Sequence, residues 1–154
     1  WGPSSMGSKQ HKTPEGLYFC NWKGEETVST FDDEWILRWN FNLDNKEGIA
    51  WHQYSLPGTP ASHSCLRLLE ADAKWMYDWA DEWILADKET VKAKGTPVIV
   101  YGSYNFDGRK PWLDLAKDSH ANDISSETLN GIVGKYQAEI LKEQKNREAV
   151  SAAK

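Results

Sequence analysis

The sequence predicts a mostly β domain of the α+β class, with one helix in the middle of the chain and another at its C-terminal end. Residues 34–41 alternate between apolar and polar side chains, which is typical of a strand with one buried face. Residues 69–85 repeat apolar side chains at steps of three and four, as a helix packed on a core does. With 154 residues, 40% of them hydrophobic, the chain is large enough for one such domain.

Four segments have the alternation and composition of strands, and each is bounded by turn residues. In the clearest of them, the odd-numbered apolar residues from Trp35 to Phe41 are expected on one face and the polar residues between them on the other. The predicted strands are Leu17–Trp22, Glu34–Phe41, Ile49–His52 and Pro97–Tyr101.

Two segments have helical periodicity. The first is Leu69–Leu85, in which Trp75, Trp79 and Trp83 form a stripe that we expect to pack on a sheet. The second runs from about Ser125 into the charged tail. In the loop between them, Pro111–Leu113 is expected to form a hydrophobic plug.

Bulk properties exclude several classes of protein. A net charge of −5 argues against a nucleic-acid-binding protein, which normally presents a basic surface. The sequence has no apolar run long enough to span a bilayer, so the chain is not expected to be transmembrane. Two cysteines do not make a disulfide framework. The nine tryptophans are expected mainly in the core and in the walls of a groove.

The segment 52–67 joins a histidine, a Pro/Gly-rich loop, a second histidine and a cysteine. A cysteine needs a neighbouring base or cation to react at neutral pH, because its free thiol titrates near ~8.5. Cys65 is expected at a strand-to-helix junction, where helix N–H groups would lower its pKa. A buried structural cysteine and a zinc site formed by His52, His63 and Cys65 are the alternatives. Cys20 is expected to be an inert core residue.

Several motifs carry a resemblance to a known family. Ser62–Arg67, preceded by His52 at a strand end, resembles the signature of the L,D-transpeptidase catalytic domain (YkuD type). Thr13–Gly16 resembles that family's turn before a strand, and Pro57–Ala61 its approach to the cysteine. Gly95–Val98 resembles the entry to its closing strand.

The resemblance implies an L,D-transpeptidase-like β-sandwich or barrel over residues 1–101, with a helix after the catalytic cysteine. Residues 102–154 would be a C-terminal extension, a loop plus an amphipathic helix packed on the same domain. Because the chain begins with Trp1 and the family's first strands lack a counterpart, we expect a processed or truncated product. The missing strands would then belong to a cleaved N-terminal segment.

The family implies an enzyme of the bacterial cell envelope, periplasmic or extracytoplasmic, that needs no cofactor or metal. Its partners would be the donor and acceptor stem peptides of peptidoglycan, joined in a 3→3 cross-link through a cysteine thioester. An L,D-carboxypeptidase or another peptidoglycan hydrolase on the same scaffold is the first alternative. A non-catalytic wall-binding module that uses the tryptophan-rich surface is the second.

By the same resemblance, Cys65 is the nucleophile and His52 is the base. His63 matches the second histidine of the family, which shapes the pocket around the cysteine. Ser64 stands where the family usually has glycine, so a positive φ at this position would add strain of ~1 kcal/mol.

Four further residues are expected at the substrate. Arg67 would pair either with a substrate carboxylate or with the protein's own acids. Ser62 and the carbonyl around Gln53 would orient the imidazole of His52, and both residues are counted with Tyr54 among the substrate-binding residues. Gln53 also replaces a usually small residue of the family.

Overall fold

The computed structural model describes residues 2–29 and 35–153. These residues form nine strands and four helices around a β-sheet core, which confirms the predicted α+β class. The strands are β1 (Ser4–Ser5), β2 (Gly16–Phe19), β3 (Trp22–Val28), β4 (Ile36–Asp44), β5 (Ile49–Gln53), β6 (Leu66–Leu68), β7 (Ile84–Leu85), β8 (Val91–Ala93) and β9 (Pro97–Val100). The helices are α1 (Glu70–Trp79), α2 (Trp112–Leu115), α3 (Ser126–Gly134) and α4 (Gln137–Ala152).

Five strands form the main sheet, in the order β1-β6-β5-β4-β3. The β5–β6 pair is parallel, and the other pairs in this sheet are antiparallel. Strands β2 and β9 pair separately, as do β7 and β8. The core lies where the main sheet meets α1 and β9, and Phe41 stacks there on Trp51 with ring centroids 5.4 Å apart. None of the helices in the described ranges has the length and apolar character needed to cross a bilayer.

A β-bulge in β4 divides its apolar residues between the two faces of the sheet. Trp39 has a φ of +55°, and the pairing with β5 shifts register between Arg38 and Phe41. The extra residue of a bulge reverses the alternation of side chains beyond it. The prediction of one apolar face from Trp35 to Phe41 is therefore wrong: Leu37 lies in a cavity on one side, and Phe41 in the core on the other. Glu34 of that predicted strand lies outside the described residues.

Helix α1 ends at Trp79, six residues before the predicted end at Leu85. The side chain of Lys23 donates to the carbonyls of Tyr77 (2.7 Å) and Ala80 (2.6 Å), which satisfies the last turn. The chain is already extended at Ala80. Helical periodicity did not reveal this stop, because the capping side chain comes from a distant strand.

Trp75 and Trp79, the residues of the tryptophan stripe that lie in α1, do not pack on a sheet as predicted. Trp75 and Trp79 are 59% and 60% exposed, and their rings stack on each other with centroids 5.4 Å apart. At 100° per residue, both side chains point away from the direction in which Ala73 is buried. The stripe is consequently a surface feature.

The C-terminal segment also departs from the prediction. Where one helix was expected, the structure has two, α3 and α4, which are separated at residues 135–136. Gly134, the last residue of α3, is a poor helix former by ~1 kcal/mol relative to Ala. The predicted plug at Pro111–Leu113 is also not buried, since Trp112 is 37% exposed and its ring lies against Gly58.

Candidate active site

One face of the main sheet borders a cavity of about 360 Å³ that contains both members of the predicted catalytic pair. In the parallel β5–β6 pair, His52 is level with Arg67, and Trp51 with Leu66. Residues that are level with each other point to the same face, so His52, Arg67 and Cys65 all face the cavity. A parallel pair needs a long connection, which residues 54–65 supply.

His52 is held as a buried, neutral base. Its side chain is 3% exposed, and Nδ1 donates to the carbonyl oxygen of Gln53 at 3.0 Å. Because a carbonyl only accepts, the proton lies on Nδ1 and Nε2 keeps its lone pair. Burial lowers the pKa of His52, the bond to the Gln53 carbonyl opposes that effect, and the charge of Arg67 adds to it. Nε2 can therefore accept a proton at neutral pH.

Cys65 is a partly buried thiol in its resting state. Its Sγ donates to the carbonyl of Gly48 at 3.3 Å, and among the described residues none of its hydrogen bonds goes to His52. Burial raises the pKa of the thiol, whereas the backbone N–H of Ala50 and the charge of Arg67 lower it. The resting pair is thus a neutral thiol and a neutral imidazole, so the thiol would have to lose its proton before it could act as a nucleophile.

Cys65 does not stand at a helix N-terminus, contrary to the prediction. Strand β6 separates it from α1, which begins only at Glu70. The helix dipole acts within about one turn of the helix end, so it does not activate this thiol. The groups that favour the thiolate are Arg67 and the Ala50 N–H.

Ser62 and Ser64, which precede Cys65, both affect the backbone of the loop that carries it. Ser64 has a φ of +89°, the left-handed conformation in which glycine costs less. Ser62 is 2% exposed, and its hydroxyl donates to the carbonyl of Cys65 at 2.5 Å. The prediction that Ser62 orients His52 is therefore corrected, because its hydroxyl bonds instead within the loop that carries Cys65. Its contact with substrate stays a prediction, and Ser62 is among the residues that line the cavity.

Arg67 is one of two cationic residues that line the cavity, together with Lys46. Its guanidinium lies 4.6 Å from the centroid of the Tyr54 ring, and none of its contacts is an ion pair with a carboxylate of the described residues. Of the two partners predicted for Arg67, the acids of the described residues are therefore not used. Gln53 alternates with His52 and Tyr54 along β5, so its side chain faces away from the cavity. Its part in the site is its carbonyl, not a substrate contact.

An aromatic wall closes one side of the cavity, and sequence reasoning missed part of it. The ring of His63 lies 4.7 Å from that of His11 and 5.9 Å from that of Trp35. Trp35 in turn lies 6.1 Å from Tyr54. Burial lowers the pKa of His63, and His11 and Arg67 add to the effect. His11 lies in a loop, and the neighbouring residues of the sequence carry no signal of this contact.

The structure also shows where Cys20 lies and whether side chains are grouped as in a zinc site. Cys20 is fully buried, its pKa is raised by burial to about 12, and both cysteines are free. No three His, Cys, Asp or Glu side chains of the described residues are arranged to hold a metal ion. His52, His63 and Cys65 are therefore not grouped in this way in the structure.

Comparison with solved structures supports the fold. An L,D-transpeptidase from Mycobacterium tuberculosis H37Rv has a TM-score of 0.50 and 23% identity, over 66% of this chain and 42% of that one. L,D-transpeptidases from Mycobacterium smegmatis (TM-score 0.49, 24% identity, 66% and 48% covered) and Stackebrandtia nassauensis (0.49, 22%, 64% and 42%) are similar. The chain spans less than half the length of each of these proteins.

The family is shown by the sequence itself. No curated protein matches the chain. The family model of the L,D-transpeptidase catalytic domain (YkuD) matches residues 1–100, about two thirds of the chain. The chain therefore belongs to the YkuD family of L,D-transpeptidase catalytic domains.

Proposed function

We propose that the protein is an L,D-transpeptidase that forms 3→3 cross-links between peptidoglycan stem peptides through a thioester on Cys65. The observation that carries the proposal is the parallel β5–β6 register, which brings His52, Cys65 and Arg67 to one face over one cavity. Membership of the family supports the substrate class.

In the first half-reaction, the Sγ of Cys65 attacks the carbonyl carbon that joins residue three of a tetrapeptide stem to its terminal D-Ala. The thiol proton passes to Nε2 of His52 as the S–C bond forms. The tetrahedral oxyanion then collapses, the C–N bond breaks, and the leaving amine of D-Ala takes the proton. The product is a thioester between Cys65 and the shortened stem.

In the second half-reaction, the side-chain amine of another stem attacks the thioester. The N–C bond forms as His52 takes a proton from that amine, the C–S bond breaks, and His52 returns the proton to Sγ, so that an amide and the free thiol of Cys65 result.

Arg67 is proposed to bind a carboxylate of the donor stem. Its guanidinium projects into the cavity, is stacked on Tyr54 and has no competing ion pair with a described residue. A planar guanidinium forms paired hydrogen bonds with a carboxylate. Because the substrate lies outside the cytoplasm, we place the protein in the bacterial cell envelope, in a periplasmic or extracytoplasmic position.

Product analysis with a defined tetrapeptide stem tests the proposal. A cross-linked dimer is expected from the wild type and from Cys20→Ala, which removes the other thiol. Cys65→Ala should form none, and His52→Ala should be slower by about 10²–10⁴-fold. Tripeptide without dimer would identify an L,D-carboxypeptidase instead, and unchanged stem would overturn both functions.

The exposed Trp75–Trp79 stack favours a second candidate, a non-catalytic wall-binding module. Exposed aromatic faces can stack on sugar rings. Incubation with a carbapenem separates this candidate from an enzyme, because the enzyme gains the mass of the drug at Cys65. An adduct that disappears in Cys65→Ala would exclude the binding module.

A further inference from the structure

The side chain of Thr13 connects the N-terminal segment to the peptide bond just before the nucleophile. The N–H of Gly7 donates to Oγ1 of Thr13 at 3.0 Å, and the same hydroxyl donates to the carbonyl of Ser64 at 2.9 Å. The Thr13 hydroxyl thus accepts one hydrogen bond and donates another, and these two bonds fix its orientation. The contact spans 51 positions of sequence.

This contact sets the direction of the Cys65 backbone N–H. The Ser64 carbonyl and the Cys65 N–H belong to one peptide unit, and no peptide bond in the described ranges is cis. In a planar trans peptide, the C=O and the N–H point in opposite directions. Because Thr13 holds the oxygen on one side, the Cys65 N–H points to the other.

The segment that carries Thr13 is braced against the loop of Cys65. The N–H groups of Ala61 and Ser62 both donate to the carbonyl of Met6, at 2.9 and 3.1 Å. A Cβ at Gly7 would lie 2.5 Å from the backbone nitrogen of Thr13, so the N-terminal segment itself folds back with Gly7 and Thr13 at backbone distance. Backbone contacts therefore hold the segment that carries Thr13 in place beside the loop of Cys65.

We infer that Thr13 is a positioning residue for the oxyanion hole, and that its hydroxyl keeps the Cys65 N–H aimed at the developing oxyanion. The inference rests on the proposed function in one respect, since it assumes acyl transfer at Cys65. Donors to an oxyanion must be in place before the reaction, and the loss of one typically costs 10²–10³-fold in rate. Misdirection of one donor should cost about 10–100-fold.

Two reactions of the same thiol test the inference. Acylation by a carbapenem passes through a tetrahedral oxyanion, whereas alkylation by iodoacetamide displaces iodide and forms none. Both are followed by intact mass in the wild type, Thr13→Val, Thr13→Ser and Thr13→Ala. Thr128→Val is the matched control, because this threonine lies in the first turn of α3, outside the site. Alkylation of the buried Cys20 reports unfolding in every variant.

The expected result is acylation slowed about 10–100-fold in Thr13→Val, with alkylation of Cys65 within about twofold of the wild type. Thr13→Ser should be acylated within about threefold of the wild-type rate, because it keeps the hydroxyl. If Thr13→Val exposes Cys20, Thr13→Ala replaces it in the same comparison.

If Thr13→Val is acylated at the wild-type rate, the inference about Thr13 is overturned and the proposed function is not. The same holds if the acylation and alkylation rates of Cys65 fall equally in Thr13→Val. A wild type that is alkylated at Cys65 but takes up no carbapenem overturns the proposed function, and this inference with it.

Discussion

Replacement of Arg147 by alanine tests how strongly α4 is anchored to the rest of the domain. Nη1 of Arg147 donates to the carbonyls of Glu82 and Lys94, both at 2.9 Å, and Nη2 lies 3.3 Å from Oδ1 of Asp81. One side chain of α4 therefore bonds to both ends of the segment that includes β7 and β8. Its side chain is 24% exposed, so water only partly competes for these bonds.

The magnitude follows from these three contacts. Hydrogen bonds from a charged donor contribute about 1.5–3 kcal/mol when shielded, and we take ~1 kcal/mol each here because of the partial exposure. The ion pair adds less than ~0.5 kcal/mol, since the side chain of Asp81 is 65% exposed. The loss should therefore be about 2–2.5 kcal/mol, which lowers Tm by about 4–10 °C in a chain of this length.

Thermal unfolding followed by circular dichroism measures the loss. Arg147→Lys should fall between alanine and the wild type, because an ammonium cannot reproduce the fork of the guanidinium. Arg109→Ala is the matched control, as its ion pair with Asp114 is 56% and 48% exposed and should contribute at most ~0.5 kcal/mol. A Tm of Arg147→Ala within 2 °C of the wild type would refute this account.

Three further predictions concern the site and its loop. Burial raises the pKa of Cys65 and lowers that of His52, so alkylation of Cys65 should rise towards alkaline pH with a midpoint above that of a free thiol, ~8.5. A rate that stays level below pH 6 would instead indicate a thiolate–imidazolium pair. Arg67→Gln should raise KM for the tetrapeptide donor at least about tenfold, because a hydrogen bond between charged groups contributes ~1.5–3 kcal/mol. The rate of donor consumption at several donor concentrations measures this KM, and an unchanged KM contradicts the proposed role of Arg67. Gly58→Ala should cost about 1–2 kcal/mol, since φ is +77° and a Cβ would lie 3.1 Å from Trp112. Chemical denaturation checks this value, and a loss that does not shrink in a Trp112→Ala background would show that the ring is not responsible.

Local pattern was sufficient for much of the fold. Alternation located β5 and β9 to within about one residue, and helical periodicity located the start of α1. Pattern failed where a distant group intervened. The bulge at Trp39 reversed the faces of β4, and Lys23 from β3 ended α1 early. Neither event leaves a signal in the neighbouring residues.

The sequence by itself determined the reactive groups of this protein, because a thiol, an imidazole and a guanidinium can be read directly from Cys65, His52 and Arg67. Only the tertiary structure decided how these groups are used. Parallel pairing of β5 and β6 brings them to one face, and the thiol bonds to Gly48 rather than standing at a helix end. The Ser64 carbonyl is held by Thr13, 51 positions earlier. Periodicity encodes the local path of the backbone, whereas register, burial and long-range hydrogen bonds depend on segments that meet only when the chain is folded.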